Sequence, residues 1–358
     1  MSLLDKLVKN STIKMTAPIT ESKVFGQKEM SPTPVPMVNV ALSGQMDGGL
    51  VPGLLVLAGP SKHFKSAFAL LMAAAYLKKH DDAVLLFYDS EFGTPQSYFE
   101  SFGIDMDRTV HTPITNVEEL KFDITQQMDQ IDKGDKVVVV IDSVGNLASK
   151  KEVEDALDGK SVADMSRAKA LKSLFRIVTP HLNLKDIPLI AVNHTYKEIG
   201  MFPKDVVSGG TGIYYSADSI WIIGRQQDKV GTEIQGYHFV INIEKSRHVK
   251  EKSKIPITVS WEGGIVKWSG LMEVAEKGGY LHKPKVGWYE ALDPSTGEII
   301  SEKLLRAKDI VDNSEFWNTM FNKTDFKEYV KNAFSVGGSI ILKDEDEEVL
   351  EVMEANGD

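Results

Sequence analysis

The sequence predicts an α/β protein whose core is a mostly parallel central sheet flanked by helices, with small pieces attached at either end. Three observations carry that prediction. Apolar runs recur between residues 37 and 260, and most are too continuous for strands with one wet face. Helical stretches with readable caps alternate with them. A chain of 358 residues, 42% hydrophobic, also has the material for one large domain with smaller attachments.

The elements follow in order. The first thirty residues are mostly polar, with Leu3, Leu4, Leu7 and Val8 at helical spacing. Ser31-Pro-Thr-Pro-Val-Pro36 reads as an extended linker, because each proline biases its predecessor away from helix. Residues 1–34 therefore read as an arm, whose helix either docks on another molecule or folds back on its own core. The core is expected over residues 35–270, with apolar runs at Leu54–Ala58, Ala83–Tyr88, Val137–Ile141, Ile187–Val192, Ser219–Ile223 and Tyr237–Ile243. Thr115 with Glu118 forms a capping box for a helix with Val117, Leu120, Ile124, Met128 and Ile131 on one face, ended by Gly134. Ser161 with Asp164 opens another, through Met165, Leu171, Leu174 and Val178 to Pro180. Ile255–Trp261 and Ile265–Trp268, joined through Gly263-Gly264, read as a hairpin. Beyond Gly270 the pattern turns mixed, predicting a small lobe over 271–343, and residues 344–358 read as a solvated acidic tail.

Composition excludes several functions. No apolar run approaches the ~20 residues of a membrane span, and Lys6, Lys9 and Lys14 interrupt any signal-peptide pattern. The absence of cysteine excludes disulfides, thiolate catalysis and zinc–thiolate sites, and suits a reducing cytoplasm. With 41 basic against 51 acidic side chains the net charge is −10, so a DNA site has to be a local basic groove.

The richest stretch is Gly59-Pro-Ser-Lys-His-Phe-Lys-Ser66, which follows an apolar run and opens the apolar segment Ser66–Tyr76. That is the strand, loop and helix setting that a nucleotide-binding P-loop needs, the alternative being a glycine-containing surface turn. Gly59, Pro60, Ser61, Lys62, His63 and Phe64 would wrap the β-phosphate with backbone N–H groups, and the helix dipole adds to the field. Lys65 would reach the β- and γ-phosphates and the Ser66 hydroxyl would ligate Mg²⁺. Phe64 stands where the usual pattern has its second glycine. A bulky residue tolerates positive φ poorly, so either the loop avoids that conformation or the site is weakened.

Hydrolysis needs further groups. The run Val137–Ile141 ends in Asp142, an acid placed to hold the Mg²⁺ shell. Tyr88-Asp89-Ser90-Glu91 ends the preceding strand, and Glu91 is the expected water-activating base, with Asp89 its rival. Val192-Asn193-His194 precedes an irregular segment, Thr195–Tyr215, holding Gly200, Gly209, Gly210 and Gly212 together with Tyr196, Phe202, Lys197 and Lys204. Long irregular loops in compact domains are usually functional or disordered. His194 is placed either to feel the γ-phosphate or simply to hydrogen-bond at a strand end. Lys245, Arg247, Lys250, Lys252 and Lys254 surround one acid, Glu251. They make a phosphate groove for nucleic acid, cationic fingers for a triphosphate, or a solvated basic hairpin.

Taken in order, GPSKHFKS, FYDSEFG, VVVVIDSVGNLASKKE, the stretch from NHT to GGTG, and INIEKSR resemble the RecA-type strand-exchange recombinases over about residues 35–268. The phenylalanine in the phosphate loop resembles the branch of the family carried by large tailed bacteriophages. The resemblance implies a RecA-like P-loop ATPase core, ATP and Mg²⁺ as cofactors, and DNA-dependent ATP hydrolysis. It further implies a helical filament of identical subunits on single-stranded DNA that exchanges strands with double-stranded DNA in recombination and repair. It assigns phosphate and Mg²⁺ binding to Lys65 and Ser66, the second Mg²⁺-shell position to Asp142, water activation to Glu91 and adenine stacking to Tyr98. His194 takes the place of a γ-phosphate-sensing glutamine, and Lys245 and Arg247 reach a neighbour's ATP. A first DNA loop would run over 149–161, with Lys160, into a helix with Arg167, Lys169 and Lys172. A second, Thr195–Thr211, would offer Tyr196, Lys197, Phe202, the wedge Ile199, and Gly209-Gly210. The arm would pack on the adjacent protomer, and a single-strand-binding protein and a loading mediator would be partners. Two other readings share the core: a hexameric helicase, which calls for a larger N-terminal domain, and a non-catalytic mediator, favoured by Phe64 alone.

Overall fold

A computed structural model describes the chain except residues 23, 25, 27, 161–165, 199–202, 231–232 and 338–358. The expected wedge Ile199, Phe202, the helix start at Ser161, Asp164 and Met165, and the acidic tail lie outside the described residues.

Helix α1 (Leu3–Asn10) opens on a reciprocal cap, with Ser2 and Asp5 each accepting from the other's backbone N–H. None of its residues is buried, and Leu3, Leu4 and Leu7 stand in solvent. The proline-rich stretch that follows is not a free linker. Ser31 pairs with Leu50, Thr33 is bonded to Asn39, and both are buried with Val35 beneath helix α2 (Pro36–Ser43).

Next come β1 (Gly53–Ala58), α3 (Lys65–Lys79), β2 (Val84–Asp89), α4 (Gln96–Ser101), β3 (Thr109–Pro113) and α5 (Val117–Gln130). They are followed by β4 (Val137–Asp142), α6 (Lys150–Leu157), α7 (Ser166–Lys185) and β5 (Pro188–Asn193). Short strands β6 (Thr195–Lys197) and β7 (Asp205–Val207) and helix α8 (Thr211–Ser216) lead into β8 (Ser219–Val230), β9 (Glu233–Ser246), β10 (Lys254–Ser260) and β11 (Gly264–Ile265). The large sheet has the order β11-β10-β9-β8-β1-β5-β4-β2-β3. Its strands from β8 to β3 run parallel, and β9, β10 and β11 extend it antiparallel. β1, β4 and β5 are buried at every residue. Helices α2 and α3 cover one face (Val40, Phe68, Met72 in one cluster with Val138 and Val192), and α5 and α7 the other (Leu120, Ile124, Leu174 with Val139 and Leu189). Among the described residues no helix is long and apolar enough to cross a membrane.

Local expectations are corrected. The helix expected to end at Pro180 runs through that proline to Lys185 as α7. The N-cap of α5 is Asn116, which accepts from the Glu119 N–H, while Glu118 accepts from the Lys150 N–H. Strand β3 carries no apolar run because it is a mostly exposed sheet edge. The stretch Thr195–Tyr215, expected to be irregular, holds the β6–β7 pair, with Thr195 opposite Val207, and helix α8.

After Gly270 come α9 (Leu271–Lys277), the hairpin β12 (Leu281–Lys285) and β13 (Trp288–Ala291), α10 (Ala307–Ile310), α11 (Ser314–Lys323) and α12 (Phe326–Phe334). Trp317, Met320, Phe326 and Val330 are buried in the same apolar cluster as α2 and β10. The end of α12 and the residues after it are bonded to the loop between β9 and β10, with the Val336 N–H donating to His248 O and the Lys250 N–H to Phe334 O.

Candidate functional site

The phosphate loop leaves β1 at the carboxyl edge of the sheet, where Ala58 pairs with Asn193 on one side and Ile222 on the other. A Cβ on Gly59 would meet the Ile223 carbonyl at 2.9 Å, so the close approach requires glycine. Phe64 does adopt the left-handed conformation, φ 62° and ψ 17°. That costs ~1–2 kcal/mol for an L-residue. Its ring stacks on Phe239 (5.0 Å, 22°) and meets Phe68 edge-on (5.5 Å), contacts worth roughly 0.5–1.5 kcal/mol each. The packing offsets the strain, which is how the loop keeps its shape without the glycine.

Lys65 is buried, its ammonium donating to the Pro60 carbonyl at 2.7 Å, and burial lowers its pKa. Asp142 is buried at the end of β4. Burial pushes its carboxyl up to about 6, against a hydrogen bond from Ser66 that works the other way. Its Oδ1 has no hydrogen-bond partner among the described residues. A buried carboxylate with one orphaned oxygen beside a hydroxyl is an all-oxygen donor set, which suits hydrated Mg²⁺.

Asp89 builds the turn that presents Glu91. Asp89 Oδ1 accepts from the N–H groups of Glu91 (3.0 Å) and Phe92 (2.8 Å). Glu91 Oε1 accepts from Ser143 Oγ (2.8 Å) and Asn146 Nδ2 (3.0 Å) and lies 3.3 Å from His194 Nε2. Hydrogen bonds from His194 foremost and from Ser143 hold the Glu91 carboxyl below the usual carboxylate range, against the opposing effect of burial. A Cβ on Gly145 would stand 2.3 Å from His194 Cδ2, so glycine there admits the imidazole. Beyond His194, its carbonyl accepts from the Ser208 N–H and Asn193 Nδ2 donates to Ser208 O, fastening the β6–β7 segment to the strand end.

The loop, Glu91 and His194 open on a cleft of about 580 Å³ that Tyr98 also lines, packed edge-on against Phe102. The far wall is a group the sequence did not announce. Arg225 donates to the Lys62 carbonyl (3.0 Å) and lies over the Tyr237 ring (4.7 Å), with Trp261 62% exposed beside it. Ser143, Gly145 and Asn146 were equally hidden, although they directly follow Asp142 in the chain.

Lys245 and Arg247 sit at the other end of the sheet. Lys245 pairs with Ile220 near the start of β8, which begins at Ser219 opposite Leu55 of β1. Its ammonium donates to the carbonyls of Tyr214 (2.9 Å) and Ala217 (2.7 Å), capping α8. Arg247 Nε lies 2.7 Å from Asp218 Oδ1, and Asp218 Oδ2 accepts from the Leu54 N–H. Neither cation reaches this chain's own phosphate loop.

The expected DNA residues divide. Lys169, Lys172 and Tyr196 are exposed. Lys160 pairs with Asp158, and Lys197 with Asp205. Arg167 turns inward, its guanidinium donating to the carbonyls of Leu147 (2.6 Å), Gly145 (2.9 Å) and Val144 (3.0 Å). Gly209 is buried against Leu171, so it packs α8 onto α7, while Gly210 stays exposed.

Compared with known protein families, residues 23–266 match the RecA N-terminal domain, and residues 268–330 match the C-terminal domain of the bacteriophage T4 recombination and repair protein (UvsX). The chain is 53% identical over 338 residues to the recombination and repair protein of Enterobacteria phage T4, covering 94% of this chain and 86% of that one. It is 25% identical over 240 residues to the protein RecA of Caulobacter vibrioides, covering 66% of this chain and 65% of that one. It is also 25% identical over 255 residues to the RecA of Aquifex aeolicus, covering 70% and 72%.

Proposed function

This chain belongs to the RecA family of recombinases, and from that premise we propose that it is an ATP-dependent strand-exchange recombinase that forms filaments on single-stranded DNA and pairs it with homologous duplex. The observation that carries the reading is the convergence of the phosphate loop, Glu91 and His194 on one cleft, with His194 at the root of the segment proposed to hold DNA.

The chain's own groups divide the work. The loop N–H groups and the amino end of α3 bind the triphosphate, and Lys65 exchanges the Pro60 carbonyl for phosphate oxygens. Glu91, kept ionised by its donors, takes the proton of the attacking water at a carboxylate oxygen. Ser66 and Asp142 would hold Mg²⁺, which when bound neutralises charge on the β- and γ-phosphoryl oxygens. Tyr98 supplies a flat face for the base. His194 bridges Glu91 to β6–β7, so a change at the DNA segment reaches the base through one imidazole. Lys245 and Arg247 serve the cleft of an adjoining copy, a role their position opposite the phosphate loop supports. Lys169, Lys172 and Tyr196 face the polynucleotide, binding it by backbone charge and stacking without reading sequence.

Strand exchange between homologous substrates tests the reading directly: it should require ATP. Glu91→Gln should retain ATP and single-stranded DNA binding while turnover falls by roughly a hundredfold or more. Exchange that is indifferent to ATP, or normal turnover by Glu91→Gln, would reject it.

A further inference from the structure

His111 stands on the edge strand β3, outside every motif. Register places it beside Phe87 on β2, with Asp89 two residues further along on the same face. Its ring lies over Phe87 (6.0 Å, 28°), and its Nε2 is 3.3 Å from Asp89 Oδ2. Since the carboxylate only accepts, Nε2 carries the hydrogen. The Asp89 side chain is 7% exposed, whereas that of His111 is 55% exposed.

Both oxygens of Asp89 are thus committed. Oδ1 holds the backbone N–H groups of Glu91 and Phe92, and Oδ2 faces His111, its one hydrogen-bond partner among the described residues. Phe92 is itself held at φ 53°, a conformation that persists only where the surroundings enforce it. A carboxylate torsion is broad and two-fold, so an Asp89 released at Oδ2 is free to rotate and slacken its grip on the turn.

We propose that His111 is a positioning residue for ATP hydrolysis, locking the Asp89 carboxylate that orients the Glu91 turn and so coupling the sheet edge to the base. This rests on the reading of Glu91 as the water-activating group. A displacement of about 1 Å in such a group costs up to a hundredfold in rate, and a loosened rather than broken turn costs less.

The test is DNA-stimulated ATP hydrolysis by the full chain carrying His111→Ala, His111→Gln, Glu91→Gln, or Asp89→Ala with and without His111→Ala. His111→Ala should lower kcat about three- to tenfold with KM for ATP within about twofold. His111→Gln, whose amide N–H occupies nearly the place of Nε2, should recover most of the loss. Asp89→Ala/His111→Ala should be no slower than Asp89→Ala alone, because both act through one carboxylate. The proposal is overturned if His111→Ala turns over normally, if Gln fails to rescue, if the double variant loses both effects in full, or if His111→Ala fails to assemble on single-stranded DNA. If Glu91→Gln keeps wild-type turnover, the reading of Glu91 fails instead, whatever His111 does.

Discussion

Phe64 and Asp142 show how single residues carry opposed free energies at this site. In a helix alanine is normally better than glycine by ~1 kcal/mol, but at the φ of 62° held by Phe64 the order should invert. Phe64→Ala loses both ring contacts and keeps the strain; Phe64→Gly loses the contacts and relieves it. Denaturant unfolding should find Phe64→Gly more stable than Phe64→Ala by about 1 kcal/mol, with both below the parent; alanine above glycine would mean the strain is not real. At Asp142 burial raises the carboxyl from 3.8 to about 6 in the folded chain. Below pH 3.8 the group is neutral folded and unfolded and costs nothing. Between 3.8 and 6 the folded chain holds a proton the unfolded chain has released, so a penalty grows with pH and is complete above 6, at most about 3 kcal/mol. Asp142→Asn should therefore raise the melting temperature of the chelator-treated protein at about pH 8 and do little at about pH 4. An equal shift at both pH values would assign the gain to packing instead.

At the scale of elements, Arg167 links the loop after β4 to the first turn of α7 through three backbone carbonyls. Arg167→Ala should destabilise the DNA-free protein by roughly 2–3 kcal/mol, since charged-donor hydrogen bonds are lost and carbonyls left short of partners. Lysine, lacking the fork, should rescue little. If Arg167 served DNA alone, melting would not move and the salt dependence of DNA binding would weaken by about one charge. Nothing in the neighbouring sequence separates these roles, because an arginine facing carbonyls about twenty residues away leaves no periodic trace. The strands were legible for the converse reason: Val137–Ile141 is buried on both faces, and burial writes itself as a continuous apolar run. β3 is an edge strand, so its Thr-Val-His-Thr-Pro carries no such mark. The cap of α5 was legible only to within one residue, since Thr115 and Asn116 both cap well and acids stand three residues after each. Of the site, the phosphate loop, Glu91, Asp142 and His194 could be read from strand ends. Ser143, Asn146 and Arg225 gained their places only through folding.

Across the whole molecule, the two ends of the sheet hold complementary halves of one proposed reaction centre. The phosphate loop and Glu91 lie at the carboxyl end of β1, and Lys245 and Arg247 at its amino end. The loop between β9 and β10 that follows those cations is in turn bonded to the end of α12, through His248 and Val336 and through Lys250 and Phe334. On the proposed assignment, a separation of this kind would make a lone protomer incompetent and an array competent, since in a head-to-tail assembly each interface would join one copy's loop to the next copy's cations. Glu91→Gln and Arg247→Ala should each be nearly inactive alone, the first for want of the base and the second for want of the cation it lends. Mixed one to one on single-stranded DNA, they should regain hydrolysis. Where the Glu91 of an Arg247→Ala subunit meets the Arg247 of a Glu91→Gln subunit the centre is whole, and random mixing makes about a quarter of interfaces so. Recovery should vanish when the Glu91→Gln partner also carries Arg247→Ala. A mixture no more active than its components would mean that Arg247 acts within its own chain or not at all, and the placement of these cations would then need another explanation.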